Sequence, residues 1–328
     1  MAVPKITVCP STLAAGYNVY SNTALRRVFN GKKVNPFLPY DSPASNDIAD
    51  ALFTENRKRM SISGVQEKFS VLLEKNKLRL IEEGEQGQYI LKPIPNVGKN
   101  ANQMPANEHV TMQIARQVFD METAENALIF FKNGSPAYIT KRFDVKADGG
   151  KWAQEDFASL AERTPQTHGE DFKYIGNYLE LFTILKKYVP AYAVESVKLF
   201  KLILFNYLFS NGDAHFKNFS LIETPLGDFK LSPAYDLLNS RIHIDDKDFA
   251  LEGGLLPPNL AQGKVTEQFY VLGEQANISK KQVDKVFESL TAKKDTVLKL
   301  IKASFLEEKA KRNYTQAYQT RLNKLVRS

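Results

Sequence analysis

Two carboxylates and an asparagine stand out for the chemistry that their spacing allows. In Asn211-Gly212-Asp213-Ala214-His215-Phe216-Lys217-Asn218, four residues separate Asp213 from Asn218. Eighteen residues beyond Asn218, Ser232-Pro233-Ala234-Tyr235-Asp236 supplies a second carboxylate. A carboxylate held against a hydroxyl can take its proton. An amide oxygen and a second carboxylate are the hard oxygen donors that Mg2+ takes when it bridges the phosphates of a nucleotide. The chemistry this describes is phosphoryl transfer from ATP to a hydroxyl, with Asp213 as base and Asn218 and Asp236 as metal ligands. Alone, Asp213 would read as a turn residue. The pair followed by a strand and Asp236, all behind an apolar helix, is a more specific pattern.

The interval from Asp213 to Asn218 is that of the catalytic loop of protein kinases. Such chemistry needs further groups upstream. Lys92 ends a strand, where a phosphate-binding lysine belongs, and Glu108 on the following helix is placed to pair with it. Residues 60–69 read Met-Ser-Ile-Ser-Gly-Val-Gln-Glu-Lys-Phe, a turn entering a strand with a single glycine. That is a weak phosphate-loop signal beside loops that carry several glycines. Gln154-Glu155-Asp156-Phe157 lies where the chain changes character. Glu155 and Phe157 are therefore hinge candidates for holding adenine. The same residues read equally as a helix N-terminus, where acidic side chains are favoured.

Positioning these groups takes two kinds of element. The pattern predicts short strands at 68–73, 77–81, 88–92, 127–131 and 137–140, with Pro93 and Pro95 stopping the third. Between them, Val110, Ile114 and Val118 fall at helical spacing over 107–119. After about Trp152 the chain turns mostly helical. Residues 192–209 are apolar on nearly every face, so this helix is expected to run buried through the second half. It ends at Ser210-Asn211-Gly212. Two short segments at 218–222 and 228–231 follow, then helices from Thr266 onward. The expected fold is α+β and two-lobed, a β-rich N-lobe over 1–152 and a helical C-lobe over 153–328, with ligand in the cleft between.

Composition agrees with a soluble protein: 43% hydrophobic and 25% charged residues, and no apolar run near the roughly 20 residues of a membrane span. With Cys9 as the one cysteine there is no disulfide framework or multi-cysteine zinc site, which fits the cytoplasm. No signal peptide is read in the first twenty residues, which Pro4 and Pro10 interrupt. The net charge of +7 is concentrated at the end, where residues 279–328 hold 13 Lys/Arg against 5 Asp/Glu. That points to an acidic partner or nucleic acid, or to a solvated helical face.

Taken in order, these motifs resemble the HipA-like kinases. The resemblance rests on Ser-Ile-Ser-Gly-Val-Gln-Glu-Lys at 61–68, Ile-Leu-Lys-Pro at 90–93 and Asn-Glu at 107–108. Arg-Phe-Asp at 142–144, Gln-Glu-Asp-Phe at 154–157, Asn-Gly-Asp-Ala-His-Phe-Lys-Asn-Phe-Ser at 211–220 and Ser-Pro-Ala-Tyr-Asp at 232–236 complete it. It implies a serine/threonine protein kinase that is the toxin of a toxin–antitoxin system and halts translation by phosphorylating an aminoacyl-tRNA synthetase. By position, Lys92 would hold ATP phosphates, Gly64 and Val65 would cover the nucleotide and His215 would line its site. Asp213 would be the base, and Asn218 and Asp236 would bind Mg2+. Ser61 would be autophosphorylated.

The short stretch before the loop and the Ser61-Ile62-Ser63 pair resemble the compact HipT type, which adds Ser63 as a second autophosphorylation candidate. For that type the implied partners are tryptophanyl-tRNA synthetase as substrate and antitoxins resembling HipB and HipS, with DNA reached only through the antitoxin complex. Two rival readings stand beside this one: a small-molecule kinase of the same fold, and a non-catalytic scaffold bridging antitoxin and DNA through the basic tail.

Overall fold

The computed structural model describes residues 4–43, 53, 67–96, 98–244 and 247–326. Five strands form one antiparallel sheet: β1 (Phe69–Glu74), β2 (Lys77–Leu80), β3 (Tyr89–Pro93), β4 (Asn126–Phe130) and β5 (Pro136–Lys141), in the order β2-β1-β3-β5-β4. Pro93 is inside β3, as its last residue opposite Ala137, rather than beyond its end. A proline at a strand terminus removes no interior ladder bond.

The sheet is apolar on both faces because two different layers cover it. Phe69, Val71, Tyr89, Leu91, Ala127, Ile129 and Ile139 pack with Ala24, Val28 and Phe29 of α1 (Asn22–Phe29). Leu128 and Tyr138, on the other face, join a much larger core with Val110, Ile114 and Ala115 of α2 (Met104–Gln117). Strand alternation sends neighbouring residues to opposite cores.

The larger core continues into the helical half. Its members include α3 (Phe157–Leu160), α5 (Tyr178–Tyr188) and α6 (Tyr192–Leu208), with the one-turn α4 (Pro165–His168) between the first two. As expected, α6 is buried along most of its length, from Glu195 to Leu208. A second antiparallel sheet orders β6 (Gln154–Asp156), β7 (Ser220–Glu223) and β8 (Phe229–Leu231). Four helices close the chain: α7 (Val265–Gln275), α8 (Lys280–Thr291), α9 (Lys294–Ala303) and α10 (Glu308–Val326). No helix among the described residues is long and apolar enough to cross a membrane.

The basic C-terminal region is partly structural. Arg321 on α10 is 0% exposed, reaches Asp248 at 2.6 Å and stacks its guanidinium 4.5 Å from the Tyr207 ring centre. Lys293 and Lys201 donate to the carbonyls of Val118 and Phe119, just past the end of α2. Cations suit a helix C-terminus because its last carbonyls lack partners.

Candidate active site

Lys92 leaves β3 on the face that meets α2, and its side chain is 5% exposed. A buried ammonium needs anions. It finds Glu108 of α2 at 2.7 Å and Asp236, from the loop after β8, in a shorter ion pair. Lys68, just before β1, lies 4.0 Å from the other Asp236 oxygen.

Two cations and two carboxylates thus meet between sheet and helices, and their titration differs. Burial opposes the charged form of Lys92, but Asp236 and Glu108 hold its pKa above the ordinary lysine range. Burial would also raise Asp236, yet Lys92 and Lys68 keep it well below the usual carboxylate range. Glu108 is the group left poorly solvated: burial, with the Asp236 charge nearby, pushes it up to about 7 despite Lys92.

The backbone fixes Asp236 unusually. Its φ of 54° is in the left-handed region, which non-glycine residues rarely adopt. Asn211 donates to its carbonyl at 3.3 Å, tying this strained residue to the turn after α6. Such strain gathers where a side chain must be aimed.

Asn218 closes a one-turn 3-10 helix, Phe216–Asn218, and its Nδ2 lies 3.4 Å from Asp236 Oδ2. Its Oδ1 is buried and has no hydrogen-bond partner among the described residues. A buried carbonyl oxygen left so is costly unless something else takes its lone pairs. One carboxylate and one amide oxygen cannot cage a cation alone. They suit Mg2+, which keeps waters and draws other ligands from substrate phosphates. Asn218 and Asp236 would hold that ion, and it would neutralise charge developing on the phosphates.

Asp213 stands at the open side of this group, with its side chain 49% exposed. Tyr174 donates a 2.7 Å hydrogen bond to its Oδ1, and His215 Nε2 is 3.8 Å from the same oxygen. Burial lowers His215 to about 4, so the ring is neutral near pH 7. A half-exposed carboxylate can accept a proton from an incoming hydroxyl.

The structure therefore brings Lys92, Glu108, Asn218 and Asp236 into one connected group, with Asp213 and His215 on the turn that leads to Asn218. Ser61, Ser63, Gly64 and Val65 lie outside the described residues. Glu155 and Phe157 sit elsewhere than the polar group. Phe157 is 0% exposed, with its ring 6.3 Å from Phe219, and its amide donates to the Phe219 carbonyl. Glu155 pairs across β6 with Leu221 and accepts from Ser159. The neighbouring Asp156 caps α3 by accepting from the Ser159 amide, which is the helix-start alternative for this motif.

Sequence reasoning missed Tyr174, Lys68 and the partners of Asn107. Asn107 donates to the Asn239 carbonyl and to His243 Nε2, both at 2.8 Å, and accepts from the Asn239 amide at 3.0 Å. Because His243 Nε2 accepts there, its Nδ1 carries the proton and donates to the Lys99 carbonyl at 3.1 Å. This clamp joins α2, beside Glu108, to the segment that follows Asp236.

Comparison with known proteins places this geometry. Residues 60–298 match the HipA-like C-terminal domain, well over half of the chain. The chain belongs to the HipA-like C-terminal domain family. Among curated relatives, "Putative kinase" of Haemophilus influenzae is 26% identical over 227 residues, covering 67% of this chain and 63% of that protein. "Putative kinase Y4dM" of Sinorhizobium fredii is 32% identical over 232 residues, covering 66% of this chain and 54% of that one. The matches thus span between about half and two thirds of these relatives.

Among solved structures, HipA of Shewanella oneidensis, in a complex with HipB and its operator DNA, gives a TM-score of 0.62 at 20% identity. That match covers 82% of this chain and 65% of the other. The Helicobacter pylori proinflammatory kinase CtkA gives 0.51 at 14% identity, covering 77% and 92%. At these identities the likeness is one of fold, the two-lobed kinase-like architecture expected from the sequence.

Proposed function

We propose that this chain is an ATP-dependent protein kinase that phosphorylates serine or threonine, and the toxin of a bacterial toxin–antitoxin system. The observation that carries the reading is the connected group itself. A buried lysine is shared by a helix glutamate and a strained aspartate, and a buried asparagine oxygen beside that aspartate has no partner among the described residues. These are the parts a kinase uses to hold phosphates and Mg2+. Relatives with kinase names and the fold shared with HipA support it.

In this reading Lys92 binds ATP phosphates, and Glu108 keeps its ammonium in place. Asp213 takes the proton of the acceptor hydroxyl as that oxygen attacks the γ-phosphorus and ADP departs. His215, neutral and buried beside Asp213, lines the nucleotide site. Gly64 and Val65 cover the nucleotide, while Ser61 and Ser63 are autophosphorylated and switch the enzyme off. A phosphate there adds roughly −1.5 to −2 charges next to the triphosphate. Glu155 and Phe157 complete the proposal at the hinge, beside the adenine. The acceptor is an aminoacyl-tRNA synthetase, the tryptophanyl enzyme on the HipT resemblance, in the cytoplasm. Antitoxins resembling HipB and HipS bind the chain, in keeping with the HipB seen on Shewanella HipA.

Incubating the chain with γ-labelled ATP, Mg2+ and a bacterial lysate tests this. The reading expects one dominant labelled lysate protein beside the autophosphorylated chain, both labels absent with Asp213→Asn and Asp236→Asn. Labelling that persists at the wild-type rate in both variants would sink it. Label in small molecules alone would favour the small-molecule kinase.

A further inference from the structure

We infer that Tyr174 is a positioning residue for phosphoryl transfer, one that aims Asp213 at the acceptor hydroxyl; the inference rests on the kinase reading above. Its phenol donates to Asp213 Oδ1 at 2.7 Å, and no described residue hydrogen-bonds Oδ2 of that carboxylate. One oxygen is thereby anchored, and the half-exposed carboxylate leaves the other for an incoming group. A half-exposed carboxylate without such a tether would sample several rotamers, and near-attack geometry would be populated less often.

Tyr174 is itself held from several directions. Its carbonyl accepts from the Glu252 amide at 2.9 Å, Gly253 donates to Gly176 at 2.9 Å, and Tyr178 donates to Gly254 at 3.1 Å. Residues 174–178 and 252–254 therefore run as a short paired ribbon outside the two sheets. The contact is tight, because a Cβ on Gly253 would stand 2.8 Å from the Gly176 carbonyl oxygen. On the other side, Phe216 of the catalytic turn donates to the Lys173 carbonyl at 3.1 Å. The His215 ring meets the Tyr174 ring edge-on at 5.1 Å. Arg163 lies 4.3 Å from the Phe216 ring centre and binds the Ile175 carbonyl. The phenol is preorganised by contacts that need no ligand.

The charged neighbours fit this role. Lys173 lies 5.0 Å from the Tyr174 ring centre, and neutral His215 is 3.8 Å from Asp213. Neither gives Asp213 Oδ1 a closer hydrogen bond than the phenol does.

Tyr174→Phe removes one hydroxyl and leaves the ring packing in place. With label transfer from ATP into a bacterial lysate as the rate, kcat should fall roughly 10-fold, the loss of one hydrogen bond to a charged group. KM for ATP and the melting temperature should stay within error. In an Asp213→Asn background the same change should cost nothing further, because Tyr174 acts only through that carboxylate. An unchanged kcat in Tyr174→Phe, with Asp213→Asn inactive, overturns the inference and leaves the kinase reading standing. A parallel loss in both backgrounds overturns it as well, showing a structural role. Phosphotyrosine at 174 in the wild type but not in Asp213→Asn would make the phenol an acceptor, and also overturns it. Full transfer by Asp213→Asn sinks the kinase reading and this inference with it.

Discussion

Glu108 is the residue whose protonation should be visible from outside. Its carboxyl is raised from an ordinary 4.5 to about 7, chiefly by burial. The folded state therefore binds a proton that the unfolded chain releases between those values. Stability from this group is complete below about pH 4.5 and is lost as pH rises through about 7. In the proposed kinase, activity runs the other way, since only the ionised carboxylate steadies Lys92. KM for ATP should rise as pH falls below about 7, and Glu108→Gln should raise KM at pH 8 while flattening the pH dependence. A pH-independent KM in the wild type would contradict this. Asp213→Asn should cost on the order of 10²-fold or more in rate with the melting temperature held, as removal of a positioned base does. Asp213, Asn218 and Asp236 stood out in the sequence because they lie at short intervals along the chain, and the structure brings Asn218 beside Asp236. Tyr174 did not, since it reaches Asp213 from 39 residues upstream through a fold the local pattern cannot show.

At the scale of elements, the strands of the first sheet and α2 were legible from alternation and helical spacing. The departures have local causes. α1 is only 8 residues long, too short to show a period, and its ends are set by Ser21 and by left-handed Asn30 instead. β6 is three residues long and pairs only with β7, so nothing in its own sequence marks it as a strand. Two connections deserve mutation. Gly253→Ala should force the 252–254 ribbon away from Gly176 and lower kcat with little change in KM for ATP. Asn107→Ala strips partners from Asn239 and His243 and should cost about 1–3 kcal/mol in urea unfolding, the usual range for orphaned buried polar groups. A midpoint unmoved by Asn107→Ala would show that the clamp carries no stability.

For the whole molecule, the basic tail divides into two sets of lysines. Lys293 caps α2 through the Val118 carbonyl, and Lys311 pairs with Glu308, whereas Lys294 and Lys309 are exposed. Lys293→Glu should therefore lower the melting temperature. Lys294→Glu with Lys309→Glu should leave it unchanged and reduce the salt dependence of operator binding by an antitoxin complex, if that surface meets phosphates. An identical salt slope would assign these lysines to solvent. Arg321→Ala should lower the midpoint of urea unfolding, because it empties a fully buried site against the Tyr207 ring, while half-exposed Asp248 keeps Lys324 and Arg241. None of this could be read from net charge, which counts a buried arginine and a solvated lysine alike.

Helix α2 has a mechanical consequence for how the molecule comes apart. One of its sides supports the sheet through Leu128 and Tyr138, and Thr111 reaches Tyr314 of α10 at 2.8 Å. Phe130 of the sheet also meets Phe305, with ring centres 5.8 Å apart. Neither half can melt without exposing apolar surface of the other. Scanning calorimetry should then record a single endotherm whose van't Hoff and calorimetric enthalpies agree, rather than one peak per core. Nucleotide should shift that whole peak upward, because a ligand bound to one half would be read by every residue of the other.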